Sequence, residues 1–250
     1  MSNTWKGFKD LIVFDKKKED ELVTSFYLKS ADGLELAKHI PGQFIAIRVE
    51  VEDGKYSKTR QYTLSMDSNE DYYRVSIKRE EEGNVSKLLC DTINIGDKIQ
   101  GSIPMGKFVL KENDKPLVLI GGGIGITPML SMAYATVGTS RKVKLVYSLA
   151  NSNHHSFEEE IDELVKKNSN IELTTIYTRP LEKDKLNEDF DVQGRITMQW
   201  MENNLPKDGE FYFCGPIEFM RTIYKGLISM GVEKDYINYE LFAPGEDITK

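Results

Sequence analysis

The pattern of apolar and polar positions changes near the middle of the chain. In the first part, short apolar runs alternate with turn signals, and in Tyr73, Val75 and Ile77 the apolar residues recur with a period of two. This period is typical of antiparallel strands with one buried face, and short strands at this spacing indicate a small barrel or sandwich. The predicted strands cover residues 11–14, 22–28, 43–51, 60–65, 72–77 and 98–103.

From residue 116 the apolar runs are continuous and alternate with helical segments, which is typical of a parallel sheet covered by helices. Strands are predicted at 117–120, 143–149, 171–177 and 210–214, and helices at 127–135, 157–166 and 217–230. The polar run of residues 111–115 indicates a linker. The sequence therefore predicts a β + α/β chain, with an antiparallel β-barrel domain at 1–112 and a parallel-sheet α/β domain at 113–250.

Composition excludes several classes of function. The 250 residues are 40% hydrophobic and 29% charged, as in an ordinary soluble globular protein. The formal net charge of -7 argues against nucleic acid as a partner. No apolar stretch is long enough for a membrane helix, and the polar amino terminus lacks the apolar core of a signal peptide, so we expect a cytoplasmic protein with no membrane insertion.

Metal chemistry has little support in the sequence. Cys90 and Cys214 are the only cysteines, too few for a cluster held by four thiolates. The adjacent His154 and His155 have no further ligands at fitting spacing, so they are interpreted as a loop feature and no metal site is predicted. The oligomeric state stays open.

A glycine-rich segment, 121–128, lies between a predicted strand and a predicted helix. Backbone N–H groups at a helix start bind phosphate, and glycines allow close approach. The candidate dinucleotide-binding residues here are Gly122, Gly123, Gly125, Thr127 and Pro128. The usual fingerprint needs a glycine at the sixth position, where this chain has Ile126. The segment is therefore a phosphate loop of another lineage or an ordinary tight turn.

A second candidate segment is Arg60-Gln61-Tyr62-Thr63-Leu64-Ser65. Arginine offers a planar fork suited to pyrophosphate, and tyrosine offers a flat face for an aromatic ring. The plainer alternative is an exposed arginine beside a half-buried barrel tyrosine. Gly83-Asn84-Val85-Ser86 could add helix-start donors to the same phosphates, or it could be an ordinary helix start capped by Asn84 or Ser86.

The last candidates lie near the end of the chain. Cys214 ends an apolar strand, where ligands of open parallel sheets bind, and Gly215-Pro216 then begins a helix. Glu240 and Phe242 are predicted to alternate on a terminal strand, so that both face one cleft. The plainer alternative for Cys214 is a small buried hydrophobic residue. For Glu240 and Phe242, it is an acid and an aromatic residue of an ordinary edge strand.

Taken together, these segments resemble the ferredoxin–NADP reductase superfamily, in which a barrel for FAD precedes a nicotinamide-binding domain. More narrowly, the runs 5–8, 23–28, 41–44 and 239–242 resemble the reductase half of flavohaemoglobins, without the globin half. By that resemblance Arg60 and the helix start at Gly83, Val85 and Ser86 hold the FAD phosphates. Tyr62 packs on the isoalloxazine and Thr63 approaches its reactive nitrogen.

The resemblance also implies that residues 121–128 receive the nicotinamide dinucleotide, with Cys214 lining the nicotinamide pocket. Glu240 would lie near the reactive edge of the flavin, and Phe242 would cover the ring until the nicotinamide displaces it. The implied function is an FAD-dependent NAD(P)H oxidoreductase. Its electrons would leave to a separate acceptor: globin haem, ferredoxin, flavodoxin or a small acceptor such as a ferric chelate.

Two questions stay open from the sequence. Thr178-Arg179 lies where NADPH-using relatives place a hydroxyl and an arginine, whereas flavohaemoglobins are similar to NADH users, so the donor is NADH or NADPH with a lean to NADH. The alternative function is a non-catalytic, redox-responsive or regulatory electron-transfer subunit that binds FAD and a dinucleotide. Such a subunit needs neither a polar group at the flavin edge nor a movable ring.

Overall fold

The computed structural model describes residues 4–242 and 245–249. The chain divides into two compact units, Met1–Leu110 and Lys111–Lys250. Each unit has a hydrophobic core of its own. Within the described residues, no helix has both the length and the apolar character that crossing a membrane requires.

The first unit is a barrel with one helix. Its elements are β1 (Phe8–Lys18), β2 (Val23–Ser30), β3 (Phe44–Arg48), β4 (Glu50–Glu52), β5 (Lys55–Tyr56), β6 (Arg60–Thr63), β7 (Tyr73–Lys78), α1 (Asn84–Thr92) and β8 (Lys98–Ser102). Six strands form an antiparallel sheet in the order β6-β3-β8-β1-β2-β7. A bridge between Leu64 and Val75 joins its two ends, so the sheet is closed.

The apolar side chains that recur with a period of two along the strands form the core of this barrel. The polar neighbours Ser25 and Ser76 are also buried, and their hydroxyls lie 2.8 Å apart. Phe26 and Leu28 on β2 and Val75 on β7 are fully buried apolar side chains of the barrel core. Burying one such side chain contributes about 1.5–3 kcal/mol. The strand predicted at 11–14 extends over Phe8–Lys18, because its polar second half continues to pair with β2 after a register shift between Val13 and Asp15.

The second unit is an α/β sandwich. Its elements are β9 (Leu117–Gly122), α2 (Ile126–Tyr134), β10 (Val143–Leu149), α3 (Glu158–Lys167), β11 (Ile171–Tyr177), β12 (Val192–Gln193), α4 (Met198–Asn204), β13 (Glu210–Cys214), α5 (Ile217–Ser229) and β14 (Ile237–Tyr239). The six strands are all parallel, in the order β12-β11-β10-β9-β13-β14. The predicted fold class is confirmed.

Strands in the middle of this sheet are buried on both faces, which explains their continuous apolar runs. The bounds predicted for β10, β11 and β13 match the structure. The short β12 and the polar α4 were not predicted. Helix α4 begins because the Thr197 hydroxyl accepts a hydrogen bond from the Trp200 N–H at 3.1 Å.

Candidate functional site

Strand β6 carries the first group of predicted residues, on the wall of the barrel. Arg60 and Gln61 are exposed, and Tyr62 is half-buried against the barrel core. Burial raises the pKa of Tyr62, so its phenol stays protonated. Thr63, Leu64 and Ser65 are buried, and the Ser65 hydroxyl is 2.8 Å from that of Ser76. Their side chains therefore belong to the wall, whereas Arg60 and Tyr62 offer a cation and an aromatic face.

Helix α1 packs on the same barrel core as this strand. Tyr62 and two residues of α1, Leu88 and Cys90, pack on the same core cluster, and Cys90 contributes to the raised pKa of Tyr62 after burial does. The N-cap is Gly83, and within the described residues no side chain caps this helix start. Its first turn, which begins with Asn84 and Val85, contains no acidic residue. Its N–H groups and helix dipole thus favour an anion.

The cap predicted at Asn84 or Ser86 is wrong. Asn84 is the first helical residue, and the Ser86 hydroxyl accepts a hydrogen bond from the Glu80 N–H at 3.2 Å. The serine therefore holds the preceding loop against the helix. The donors of the first turn are left without a side-chain cap in this part of the structure.

The glycine-rich segment connects β9 to α2 through one 3-10 turn, Gly123–Gly125. Gly123 has φ +52°, a conformation that L side chains rarely adopt. A Cβ on Gly125 would be 2.2 Å from the Cys214 carbonyl oxygen. Within the described residues, α2 also begins without a side-chain cap. The segment therefore combines close backbone packing with available N–H donors, as a phosphate site requires.

Gly122 and Gly215 face the same aromatic ring. A Cβ on Gly122 would be 3.0 Å from the Phe219 ring, and one on Gly215 would be 2.8 Å from it. We call Gly122, Gly125 and Gly215 the glycine cradle. Thr127 and Pro128 lie behind it in the buried face of α2, and the Thr127 hydroxyl donates to the Ile124 carbonyl at 3.0 Å.

Cys214 and Glu240 lie at neighbouring strand ends of this unit. Cys214 pairs in register with Gly121, and Tyr239 pairs with Phe213, so Glu240 follows directly beside Cys214. Burial, reinforced by the Glu240 carboxylate, raises the pKa of the Cys214 thiol. Burial also raises the pKa of Glu240. A protonated thiol and a carboxyl that ionises at higher pH than usual therefore lie close to the cradle.

The terminal strand is shorter than predicted. Strand β14 ends at Tyr239, so Glu240 and Phe242 follow the strand and do not alternate along it. Glu240 is half-buried and Phe242 is 48% exposed. Pro216 is exposed at the N-cap of α5. The structure thus brings Cys214, Glu240 and the glycine cradle together at one edge of the sheet.

Phe219 was missed by sequence reasoning. It contacts the cradle from the third position of α5, yet in the sequence it is one apolar residue of an amphipathic helix. The closeness of Gly122 and Gly215 to one ring depends on the packing of β9 against β13, which local periodicity does not reveal.

The loops after β10 and β11 are tied to each other. The Thr178 hydroxyl donates to the Leu149 carbonyl at 3.2 Å, and the Ser152 hydroxyl donates to Asp184 at 2.6 Å. Partial burial opposes ionisation of Asp184, but the hydrogen bonds from Ser152 and Leu181 outweigh it and lower the pKa of Asp184. The exposed Arg179 lies in the same loop.

Each unit thus fits one of the groups named by the resemblance. The barrel unit offers a cation, an aromatic face and an uncapped helix start for a flavin dinucleotide. The α/β unit offers a glycine cradle at a helix start on the carboxyl edge of a parallel sheet, where dinucleotides bind.

Comparison with known proteins supports the same assignment. The Oxidoreductase FAD-binding domain family matches residues 11–110, and the Oxidoreductase NAD-binding domain family matches residues 119–225. A flavohemoprotein from Bacillus cereus is 38% identical over 253 residues, which cover 98% of this chain and 63% of that protein. The chain therefore spans less than two thirds of that relative's length.

Solved structures agree. The flavohem-like FAD/NAD-binding domain of nitric oxide dioxygenase from Vibrio cholerae matches with a TM-score of 0.84 and 34% identity, covering 94% of this chain and 99% of that one. The flavohemoglobin from Malassezia yamatoensis, at 24% identity, shows the same fold with a TM-score of 0.82 over 94% of this chain and 60% of that one. The predicted cofactors, FAD and NAD(P)H, and the predicted enzyme class, an NAD(P)H-dependent flavin oxidoreductase, are confirmed. The chain belongs to the ferredoxin–NADP reductase superfamily, among the FAD/NAD-binding reductase modules of the flavohaemoglobin type.

Proposed function

We propose that this chain carries electrons from NADH, through FAD, to a separate one-electron acceptor. The observation that carries the proposal is the arrangement of Cys214 and Glu240 at adjacent strand ends beside the glycine cradle. A protein that only binds a dinucleotide needs the cradle but not these two groups. When bound, FAD accepts a hydride from the nicotinamide and releases the electrons singly.

In the barrel unit, Arg60 and the N–H groups at the start of α1 hold the FAD diphosphate. The exposed guanidinium donates to the Thr59 carbonyl at 2.9 Å, a neutral partner, and the helix start is uncapped by the described side chains. Neither group must therefore give up a charged partner to bind phosphate. Tyr62 presents its flat face to the flavin ring, and its raised pKa keeps the phenol neutral there. Thr63 extends the same strand toward the reactive part of the ring.

In the α/β unit, the cradle and the start of α2 hold the nicotinamide dinucleotide. Cys214 lines the ring position as a neutral thiol, because burial raises the pKa of this thiol. Burial raises the pKa of Glu240, so this half-buried carboxyl beside Cys214 keeps its proton to a higher pH than an ordinary carboxyl does. Phe242 offers an exposed aromatic face that the nicotinamide ring displaces.

NADH is the proposed donor. The Thr178 hydroxyl is engaged with the Leu149 carbonyl, so it is not directed to an extra phosphate. Asp184, held ionised by Ser152 and Leu181 in the adjoining loop, adds a negative charge that disfavours a 2′-phosphate. Arg179 is the opposing charge, and Arg179→Ala should leave the rate with NADH unchanged.

The proposed acceptor is a globin-type haem on a separate protein, because the curated relatives are flavohemoproteins. The test is anaerobic mixing of FAD-loaded protein, excess NADH and a ferric globin, followed in the haem bands. Rapid haem reduction that requires the FAD-loaded protein supports the proposal. If NADH reduces the flavin but the globin stays ferric, the globin haem is not the acceptor. Reduction of ferredoxin, flavodoxin or a ferric chelate under the same conditions would then identify the acceptor instead. A flavin that no donor reduces would favour the regulatory subunit.

A further inference from the structure

A buried carboxylate lies at the opposite end of the sheet from the glycine cradle. Glu210 begins β13 and is 0% exposed. Its oxygens are 3.3 Å from Arg141 Nη2 and 3.5 Å from Lys111 Nζ. Its remaining hydrogen-bond donors are Asn113, Tyr212 and Asn238. We call these six residues the Glu210 hub. A charge buried so completely persists only when it is paired and hydrogen-bonded, so the hub is a defined arrangement.

The hub joins two segments that are far apart in the sequence, 111–115 and 234–240. Lys111 Nζ also donates to the Asp235 carbonyl at 3.0 Å. Lys115 Nζ lies 4.2 Å from the centre of the Tyr236 ring. Asn238 Nδ2 donates both to Glu210 at 3.3 Å and to the Phe211 carbonyl at 3.1 Å. The approach to β14 is therefore fastened at several points.

Arg141 holds the other segment in place. Its guanidinium donates to the carbonyl oxygens of Lys115 at 2.9 Å and Lys111 at 3.1 Å, and to the side chain of Asn113 at 2.9 Å. The Lys111 N–H donates in turn to the Tyr212 hydroxyl at 3.0 Å. Removing the charge of Glu210 would leave this guanidinium buried without its carboxylate.

Strand β14 depends on such support. It has three residues and lies at the edge of the sheet, where it pairs with β13. Short edge elements with few ladder bonds open locally at little cost in free energy. Glu240 follows this strand by one residue and Phe242 by three. If β14 opens locally, Glu240 and Phe242 therefore lose their fixed positions as well.

We propose that Glu210 is a positioning residue for flavin reduction: through Asn238 and Lys111, it holds β14 in register and so fixes Glu240 and Phe242. This inference rests on the proposed function, because the two residues matter for the rate only if a nicotinamide reacts beside them. Glu210 itself contacts no reacting group, since it lies at the other end of the sheet.

The test uses Glu210→Gln and Asn238→Ala, with Glu172→Gln as the matched control. Glu172 forms an exposed ion pair with Lys144 on the same sheet and contacts neither β14 nor the cradle. For each FAD-loaded protein, the anaerobic rate constant of flavin reduction at saturating NADH is measured, together with hydrogen exchange of the amides of residues 237–242. Flavin content is measured as well.

We expect both hub variants to retain FAD, to exchange the amides of 237–242 faster, and to lose rate by roughly 10- to 100-fold, as groups misplaced by about 1 Å do. The control should match the unmodified protein in flavin content, in amide exchange of residues 237–242 and in the rate of flavin reduction. Rates within twofold of the control, or slower rates without faster exchange at 237–242, would overturn the proposal.

Asn238→Ala keeps the inference testable if Glu210→Gln fails to fold. It removes the link to β14 while Glu210 keeps Arg141 and Lys111. If the unmodified protein is itself not reduced by NADH, the proposed function fails. The exchange result then decides separately whether the hub holds β14.

Discussion

Substitution of Gly125 by alanine tests the glycine cradle most sharply. The added methyl carbon would lie 2.2 Å from the Cys214 carbonyl oxygen, 2.4 Å from its carbonyl carbon and 2.7 Å from the Gly215 nitrogen. All three atoms are backbone, so no side-chain rotation relieves the overlap. The segment before α2 must move away from β13 instead.

The size of the effect follows from that displacement. Ordinary van der Waals contact begins at 3.4 Å, so the loop must shift by more than 1 Å. A misplacement of this size lowers a rate by roughly 100-fold, or about 2.7 kcal/mol of transition-state stabilisation. Overpacking should also lower the free energy of unfolding by about 1–3 kcal/mol.

The assay is anaerobic stopped-flow reduction of the FAD-loaded variant over a range of NADH concentrations. Gly138→Ala is the control, because its Cβ meets no atom within 4 Å and carries only the strain of φ +74°, about 1–2 kcal/mol. We expect Gly125→Ala to retain FAD and lose kcat/KM, and Gly138→Ala to lose stability alone. Reduction of both variants at the same rate would refute the cradle as the dinucleotide site.

Four further predictions concern the remaining site residues. Arg60→Ala should raise the Kd for FAD roughly 10- to 100-fold, as loss of a charged hydrogen bond does. Substitution of another exposed arginine, Arg195→Ala, is the control. Phe242→Ala should retain FAD and tighten NAD+ binding roughly 2- to 10-fold, because no ring must be displaced. Unchanged flavin content and titrations in both would remove these assignments. Burial raises the pKa of Glu240 above its unfolded value of 4.5, so the folded state is destabilised as the pH rises through the raised pKa. Glu240→Gln should therefore raise Tm at pH 8, and this gain in Tm should disappear toward pH 4. A Tm difference that does not depend on pH would contradict the burial argument. Iodoacetamide at pH 8 should leave Cys214 unmodified until the protein is unfolded, because its pKa is raised by burial; peptide mass spectrometry showing Cys214 alkylated in the native protein would contradict this.

The sequence predicted the elements whose signal is local. The continuous apolar run of β9 and the period of two on β7 each determine one element, and both are observed. Strand β14 was placed too far along the chain, because three paired residues beside a polar and an aromatic one give no distinct period. Helix α4 presents a single buried residue, Met201, so it has almost no apolar stripe to recognise.

The site shows the same division. Glycines at 122 and 125 indicated a close approach, but the partner of that approach, the Cys214 carbonyl, follows from the pairing of β9 with β13. The Glu210 hub had no sequence signal at all, because an acid at a strand start is usually solvated. Its burial arises where segment 111–115 and Asn238 converge on it. These contacts join residues that are far apart in the sequence, so local periodicity could not predict them.

The most direct test of the central claim is the visible spectrum of the FAD-loaded protein, recorded anaerobically before and after NADH and, separately, NADPH. We expect rapid bleaching of the flavin band at roughly 450 nm, faster with NADH than with NADPH. A bound flavin that neither donor bleaches would contradict the claim that this chain passes a hydride from nicotinamide to FAD.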